Sequence, residues 1–266
     1  MDSYLQLLWL IPRGFFAGGY GTLIGAGGGF VLAPALLLVY PSEAPETITS
    51  ISLAVVFCNA LSGTLCAVQT NRFQLGAIFA VATMPGAVLG ALTTNVISRD
   101  KFDLVFGLLL IAVAVFLALN PGQKGIAQVA QAGVDFPLAK KWTARTLLAG
   151  VCLSTVFGFL SSFLGIGGGF LYVPALVYLL RFPIHIATAT SLFVLTITAF
   201  TGSATHVAAG LFHHGIRRAL GLSIGAILGA QIAARLSRHI RGDWIIRSLA
   251  VALGLVGLRL VVEILE

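Results

Sequence analysis

The sequence predicts an all-α polytopic membrane protein made of two homologous halves, each with about five hydrophobic segments. Three observations predict it. Of 266 residues, 58% are hydrophobic and 9% charged, with a mean hydropathy of +1.00. Soluble domains carry about 25% charged residues, so this chain lacks the polar surface to dissolve. The apolar residues form continuous runs, many of them near the roughly 20 residues a membrane helix needs, and not the alternating pattern of a β-barrel. Finally, Gly25-Ala26-Gly27-Gly28-Gly29-Phe30 recurs 140 residues later as Gly165-Ile166-Gly167-Gly168-Gly169-Phe170, and Pro34-Ala35-Leu36 recurs as Pro174-Ala175-Leu176.

The segments read in order as 5–24, 30–40, 48–69, 75–97 and 101–119, then 145–164, 169–181, 185–209, 217–236 and 244–265. The first is retained as a membrane segment, because Met1-Asp2-Ser3-Tyr4 offers no basic region and no small-residue cleavage site follows. The second segment of each half is too short to span, which suits a broken or re-entrant helix beginning at the glycines. The third carries a polar stripe and the fourth a glycine ladder. Between the halves, 120–144 contains Asn120-Pro121-Gly122, Pro137 and Lys140-Lys141, a polar, turn-rich linker. The division is therefore 1–119, first membrane repeat; 120–144, linker, on the cytoplasmic side; 145–266, second membrane repeat.

Past the glycines the offset becomes 139. Ser52-Leu53 matches Ser191-Leu192, Gly63 matches Gly202, and Gly86-Ala87-Val88-Leu89-Gly90-Ala91 matches Gly225-Ala226-Ile227-Leu228-Gly229-Ala230. If every segment crosses, five per half is odd and the repeats are inverted. If the short segments dip in and return, the halves are parallel. Basic residues favour inversion. Arg72, Lys124, Lys140, Lys141, Arg145, Arg181, Arg235, Arg238 and Arg241 fall on one side, against Arg99, Lys101, Arg217 and Arg218 on the other. The richer side is then cytoplasmic. The net charge of +7 is explained by these segment ends and implies no nucleic-acid partner. Cys58, Cys66 and Cys152 have no metal-ligand spacing and form no disulfide framework. No metal, cofactor or catalytic set is expected.

The glycine breaks carry the most chemistry. A helix that starts inside the membrane exposes unpaired N–H groups and the positive end of its dipole, where anions bind. Glycine lets the backbone approach a ligand and adopt φ > 0. Gly25, Gly27, Gly28 and Gly29, with Gly165, Gly167, Gly168 and Gly169, are therefore candidate anion-binding residues. The alternative is that they only permit a tight turn and close packing. A nucleotide fingerprint fails, since the third glycine, the preceding strand and the Lys-Ser/Thr are missing.

Ser52, Asn59, Gly63 and Cys66 share one helical face, matched by Ser191, Thr198, Gly202 and Thr205. Such a stripe lines a pathway or makes interhelical hydrogen bonds. Ser52, Asn59, Ser191 and Thr198 are the pathway candidates, because both halves keep a polar group there. Gly86-x3-Gly90 and Gly221-x3-Gly225-x3-Gly229 read as packing faces. All nine acids lie in loops or near segment ends, unlike the mid-membrane carboxylates of proton and sodium pumps. His206 lies well inside a pathway helix and suits an anion contact, a proton relay or a packing role. Arg13 snorkels or faces a pore.

These motifs in this order resemble the sulfite exporter TauE/SafE family, the four-toluene-sulfonate uptake permease group. The resemblance rests on Gly165–Phe170 with Pro174, Ala187-Thr188-Ala189-Thr190-Ser191-Leu192, Gly202-Ser203-Ala204-Thr205-His206, and Gly225–Ala230 with Gln231, Arg235 and Ser237. The first half matches more loosely and departs at Ala67, which stands opposite His206. The resemblance implies transport of sulfur-containing anions, such as sulfite or sulfonates, across the bacterial inner membrane. Rocking of the halves would give alternating access. The partners expected are the lipid bilayer and a small anionic substrate, with a homo-oligomer left open. An anion channel, an intramembrane enzyme and a membrane assembly factor are the alternatives. An enzyme would need an oriented catalytic set, and no acid is placed to orient His206 beside Ser191 or Ser203.

Overall fold

The computed structural model describes residues 2–24, 27–40, 43–67, 73–119, 144–176, 184–210, 216–236 and 242–265. The linker 120–144, apart from Ala144, lies outside them, as do Gly25 and the stretch 177–183 of the second short segment. Among the described residues the regular elements are all helical: α1 (Asp2–Ile24), α2 (Gly29–Val39), α3 (Pro45–Ala67), α4 (Phe73–Thr94), α5 (Arg99–Leu119), α6 (Ala144–Leu164), α7 (Gly169–Pro174), α8 (Ile184–Ala208), α9 (Ile216–Leu236) and α10 (Gly242–Leu265). Each falls on one predicted apolar segment. Three described spans are long and apolar enough to cross a membrane: Pro45–Leu65, Gly76–Thr94 and Ile186–Ala208. Gly150–Leu164, Ala219–Ala233 and Leu253–Val262 are shorter apolar stretches.

Local sequence explains the ends. Pro45 opens α3 at a position that needs no N–H donor, and Glu46 in its first turn suits the helix dipole. Gly210, at φ +73, closes α8 in the left-handed conformation common after a helix. The C-terminus of α2 is closed from a distance. The Arg99 guanidinium donates to the carbonyls of Leu37 (2.8 Å), Tyr40 (3.2 Å) and Glu43, and it pairs with Asp103 at 3.3 Å. A cation there satisfies carbonyls that have no intrahelical partner. Arg99→Ala should therefore lower stability by about 2 kcal/mol. Arg99→Lys should not restore it, since an ammonium cannot reproduce the planar fork. Thermal unfolding in detergent measures both.

The contacts repeat with the halves exchanged. α1 packs along α9, as α6 packs along α4. α3 lies on α9, as α8 lies on α4. The matched helices α3 and α8 pair with each other, and so do α5 and α10. In the α3–α8 pair Gly63 abuts Leu192 while Gly202 abuts Leu53, so the two helices run antiparallel. Glycine makes the tightest of these contacts. Gly225 and Gly229 lie against the backbone of α1 at Ile11 and Phe15, and Gly86 and Gly90 against that of α6 at Thr155 and Phe159. Small residues that let backbones meet are the usual glue between apolar helices.

A large apolar core joins Phe30, Leu37, Phe102, Phe106, Leu110 and Phe163. Phe102 meets Phe163 edge-on at 5.5 Å between ring centres.

Candidate functional site

Both glycine breaks are turns in the left-handed region. Gly27 and Gly28 have φ +74 and +79; Gly165, Gly167 and Gly168 have +68, +84 and +69. Each turn folds back on the preceding helix: the Gly27 N–H donates to Gly21 O at 3.2 Å, and the Gly167 N–H to Ser161 O at 3.4 Å. Gly28 and Gly168 then cap the short helices. Val31 and Leu32 return their N–H groups to Gly28 O, as Leu171 and Tyr172 do to Gly168 O. Over their described residues the two turns match in build.

The two turns meet at the crossing of α3 and α8. Gly29 touches Ile166 O across the junction. A Cβ at Gly167 would collide with both Val56 of α3 and Leu195 of α8, and one at Gly27 would collide with Leu195 and crowd Val56 at 3.2 Å. Both of those side chains are fully buried. The two breaks lie against each other, and apolar side chains fill the space beside the glycines. That filling was not readable from the sequence, because it depends on an antiparallel crossing.

The polar stripe is buried as well. Ser52, Asn59, Ser191, Thr198 and His206 are each 0% exposed. Asn59 Nδ2 donates to Thr22 Oγ1 at 3.0 Å, binding α3 to α1. Ser191 Oγ donates to Gly169 O at 3.4 Å, tying α8 to the second turn. Thr198 Oγ1 lies 2.8 Å from Thr83 Oγ1 of α4 and 2.9 Å from Val194 O of its own helix. Thr196, Thr201 and Thr205 likewise donate to carbonyls four residues earlier, the local bond open to threonine within a helix. Ser52 Oγ, Ser161 Oγ, Ser162 Oγ and both ring nitrogens of His206 are buried without a hydrogen-bond partner. Sequence reasoning passed over Thr22 and Ser162. The signal was present, since they are polar residues 140 apart at the matching end of two apolar segments. Arg13 is exposed, its guanidinium 5.9 Å from the centre of the Trp9 ring. A small cleft opens between Phe79, Leu153, Phe157, Tyr172 and Leu176. It lacks the convergent polar groups that orient a ligand. Among the described residues no cluster of three or more His, Cys, Asp or Glu could hold a metal ion.

Paired glycine turns, the antiparallel crossing between them and the buried polar stripe extend over nearly the whole chain. So does a family match: the model of the sulfite exporter TauE/SafE family covers residues 10–260. The chain belongs to the TauE/SafE family. A relative in Bacillus subtilis, the probable membrane transporter protein YunE, is 32% identical over 97% of this chain and 98% of its own length. The probable membrane transporter protein MJ0441 of Methanocaldococcus jannaschii is 26% identical over 97% and 96%. A probable membrane transporter protein of Xylella fastidiosa is 30% identical over 70% and 69%. No solved structure matches the chain. Family description and relatives' names agree on membrane transport, so this TauE/SafE chain is a membrane transporter.

Proposed function

We propose that this TauE/SafE protein is a secondary transporter of a sulfur-containing oxyanion, sulfite or a sulfonate, in the bacterial inner membrane. The observation that carries the reading is the convergence of two matched helix breaks on one buried point between α3 and α8. Broken helices at matching positions of two repeats are the sequence and structural pointer to a transporter's binding site. Ends of helix dipoles favour an anion there. The antiparallel run of α3 and α8, each long and apolar enough to span, supports halves of opposite orientation. The excess of basic residues supports a cytoplasmic linker. Val56 and Leu195 close the junction, and alternating access moves one half against the other to expose the glycine turns to each side in turn.

The expected result in proteoliposomes is saturable uptake of radiolabelled sulfite or of an alkyl sulfonate, competed by the unlabelled anion. Non-saturating conductance would assign a channel instead. Absence of flux for every oxyanion tried overturns the reading.

A further inference from the structure

Compared position by position, the two halves differ in their polar interiors. Around the end of α1, the buried groups Thr22, Asn59 and Thr64 have partners: Thr22 with Asn59, and Thr64 with Thr196 at 3.2 Å. The counterpart region, at the end of α6, is different. Ser162 matches Thr22 and His206 matches Ala67. Both Ser162 and His206 are 0% exposed, and neither has a hydrogen-bond partner.

Ser162 packs on Gly202, four residues before His206 on α8. A Cβ added at Gly202 would lie 2.6 Å from Ser162 Oγ and 3.1 Å from Leu53 Cδ1, so only the bare glycine admits the hydroxyl. His206 lies one turn further along the same face of α8. On the antiparallel α3, Thr49 lies one turn before Leu53 and packs on the strained turn at Gly165. Buried polar groups are hydrogen-bonded in the great majority of cases, and each orphan calls for an explanation such as an absent water or ion. Here four orphaned polar atoms, Ser161 Oγ, Ser162 Oγ and the two ring nitrogens of His206, belong to the helices around the second turn, against Ser52 Oγ on α3 of the first half among the described residues. A hydroxyl donates one hydrogen bond, and a neutral imidazole donates from one ring nitrogen. Converging donors in an apolar shell recognise an oxyanion through charge-assisted bonds.

We propose that Ser162 and His206 bind the transported anion, a compact oxyanion, and that the site is one-sided, lying in the second half beside the Gly165–Gly169 turn. This rests on the reading of the chain as an oxyanion transporter.

The test uses the full-length protein, with sulfite as probe, in proteoliposomes and in detergent. Ser162→Ala removes a hydroxyl that makes no protein bond, so without sulfite the melting temperature stays the same or rises. Its KM for sulfite rises about tenfold or more, and the thermal shift given by sulfite shrinks to match. His206→Gln behaves alike in KM. Thr64→Val, which breaks the pair with Thr196, lowers the melting temperature and leaves KM within about twofold. If wild type shows no saturable sulfite flux, oxyanion transport itself fails. If wild type transports and both site variants keep its KM, only the Ser162–His206 assignment fails. A Ser162→Ala protein that is less stable with unchanged KM shows a structural water at the site and also overturns the assignment. Should His206→Gln not fold, Ser162→Ala decides alone.

Discussion

Gly28→Val abolishes transport while the protein still inserts into the membrane. Gly28 stands at φ +79, where a β-branched residue is a conformational outlier. Left-handed backbone costs an L-residue roughly 1–2 kcal/mol even in free space. Space is also lacking: a Cβ at Gly28 would lie 2.6 Å from Ala17 O, a backbone atom that cannot turn aside. The turn must open, and α2 loses the cap that starts it. At Gly168 the nearest atom is Ser161 Cβ at 2.8 Å, and the nearest backbone carbonyl, Phe157 O, stands back at 3.5 Å. Gly168→Ala should therefore keep more activity than Gly28→Ala, although the repeat makes the two positions equivalent in sequence. Sulfite flux, normalised to the amount of protein in the membrane, measures the series. Equal activities for the two alanine variants would show that the backbone obstruction at Gly28 is not decisive.

Gly225→Leu acts on assembly instead. Gly225 lies against Ile11 O and the following turn of α1, backbone to backbone. A four-carbon side chain there separates α1 from α9. The expected cost exceeds the roughly 1–3 kcal/mol of ordinary overpacking, because no rotamer relieves it. Little folded, monodisperse protein should survive extraction in mild detergent. Two controls, one on α9 and one on α10, lack the contact. Leu228→Ala, at a side chain 52% exposed on the same helix, should stay within about 0.5 kcal/mol of wild type. Gly254→Ala meets only Ala114 Cβ at 3.6 Å, ordinary van der Waals contact, and should gain up to about 1 kcal/mol of helix propensity. Fluorescence-detected gel filtration separates the three outcomes.

Much of the architecture was legible in the sequence because membrane helices announce themselves in composition. The ten apolar segments, the two short helices and the glycine turns all follow from local runs and spacings. The functions of single polar residues were less legible. Arg99 looked like one loop charge among several, and its guanidinium caps α2 some sixty residues upstream. Asn59 and Thr198 stood at matched positions, yet Asn59 pairs with α1 and Thr198 with α4. Such partners are set by which helices cross, and a pattern along one segment carries no record of that. Val56 and Leu195 were unremarkable apolar residues until the crossing placed them beside Gly27 and Gly167.

The exchange of contacts between the halves has one more consequence. Each half gives its first helix to the other half's fourth, and its third and fifth helices to their own counterparts. That is the pattern by which two copies of a single repeat would embrace as a dimer. In such a dimer a mutation appears in both copies, and a histidine beside one turn obliges a histidine beside the other. Joining the copies in one chain removes that obligation. Position 206 holds histidine where position 67 holds alanine, a difference two identical copies cannot keep.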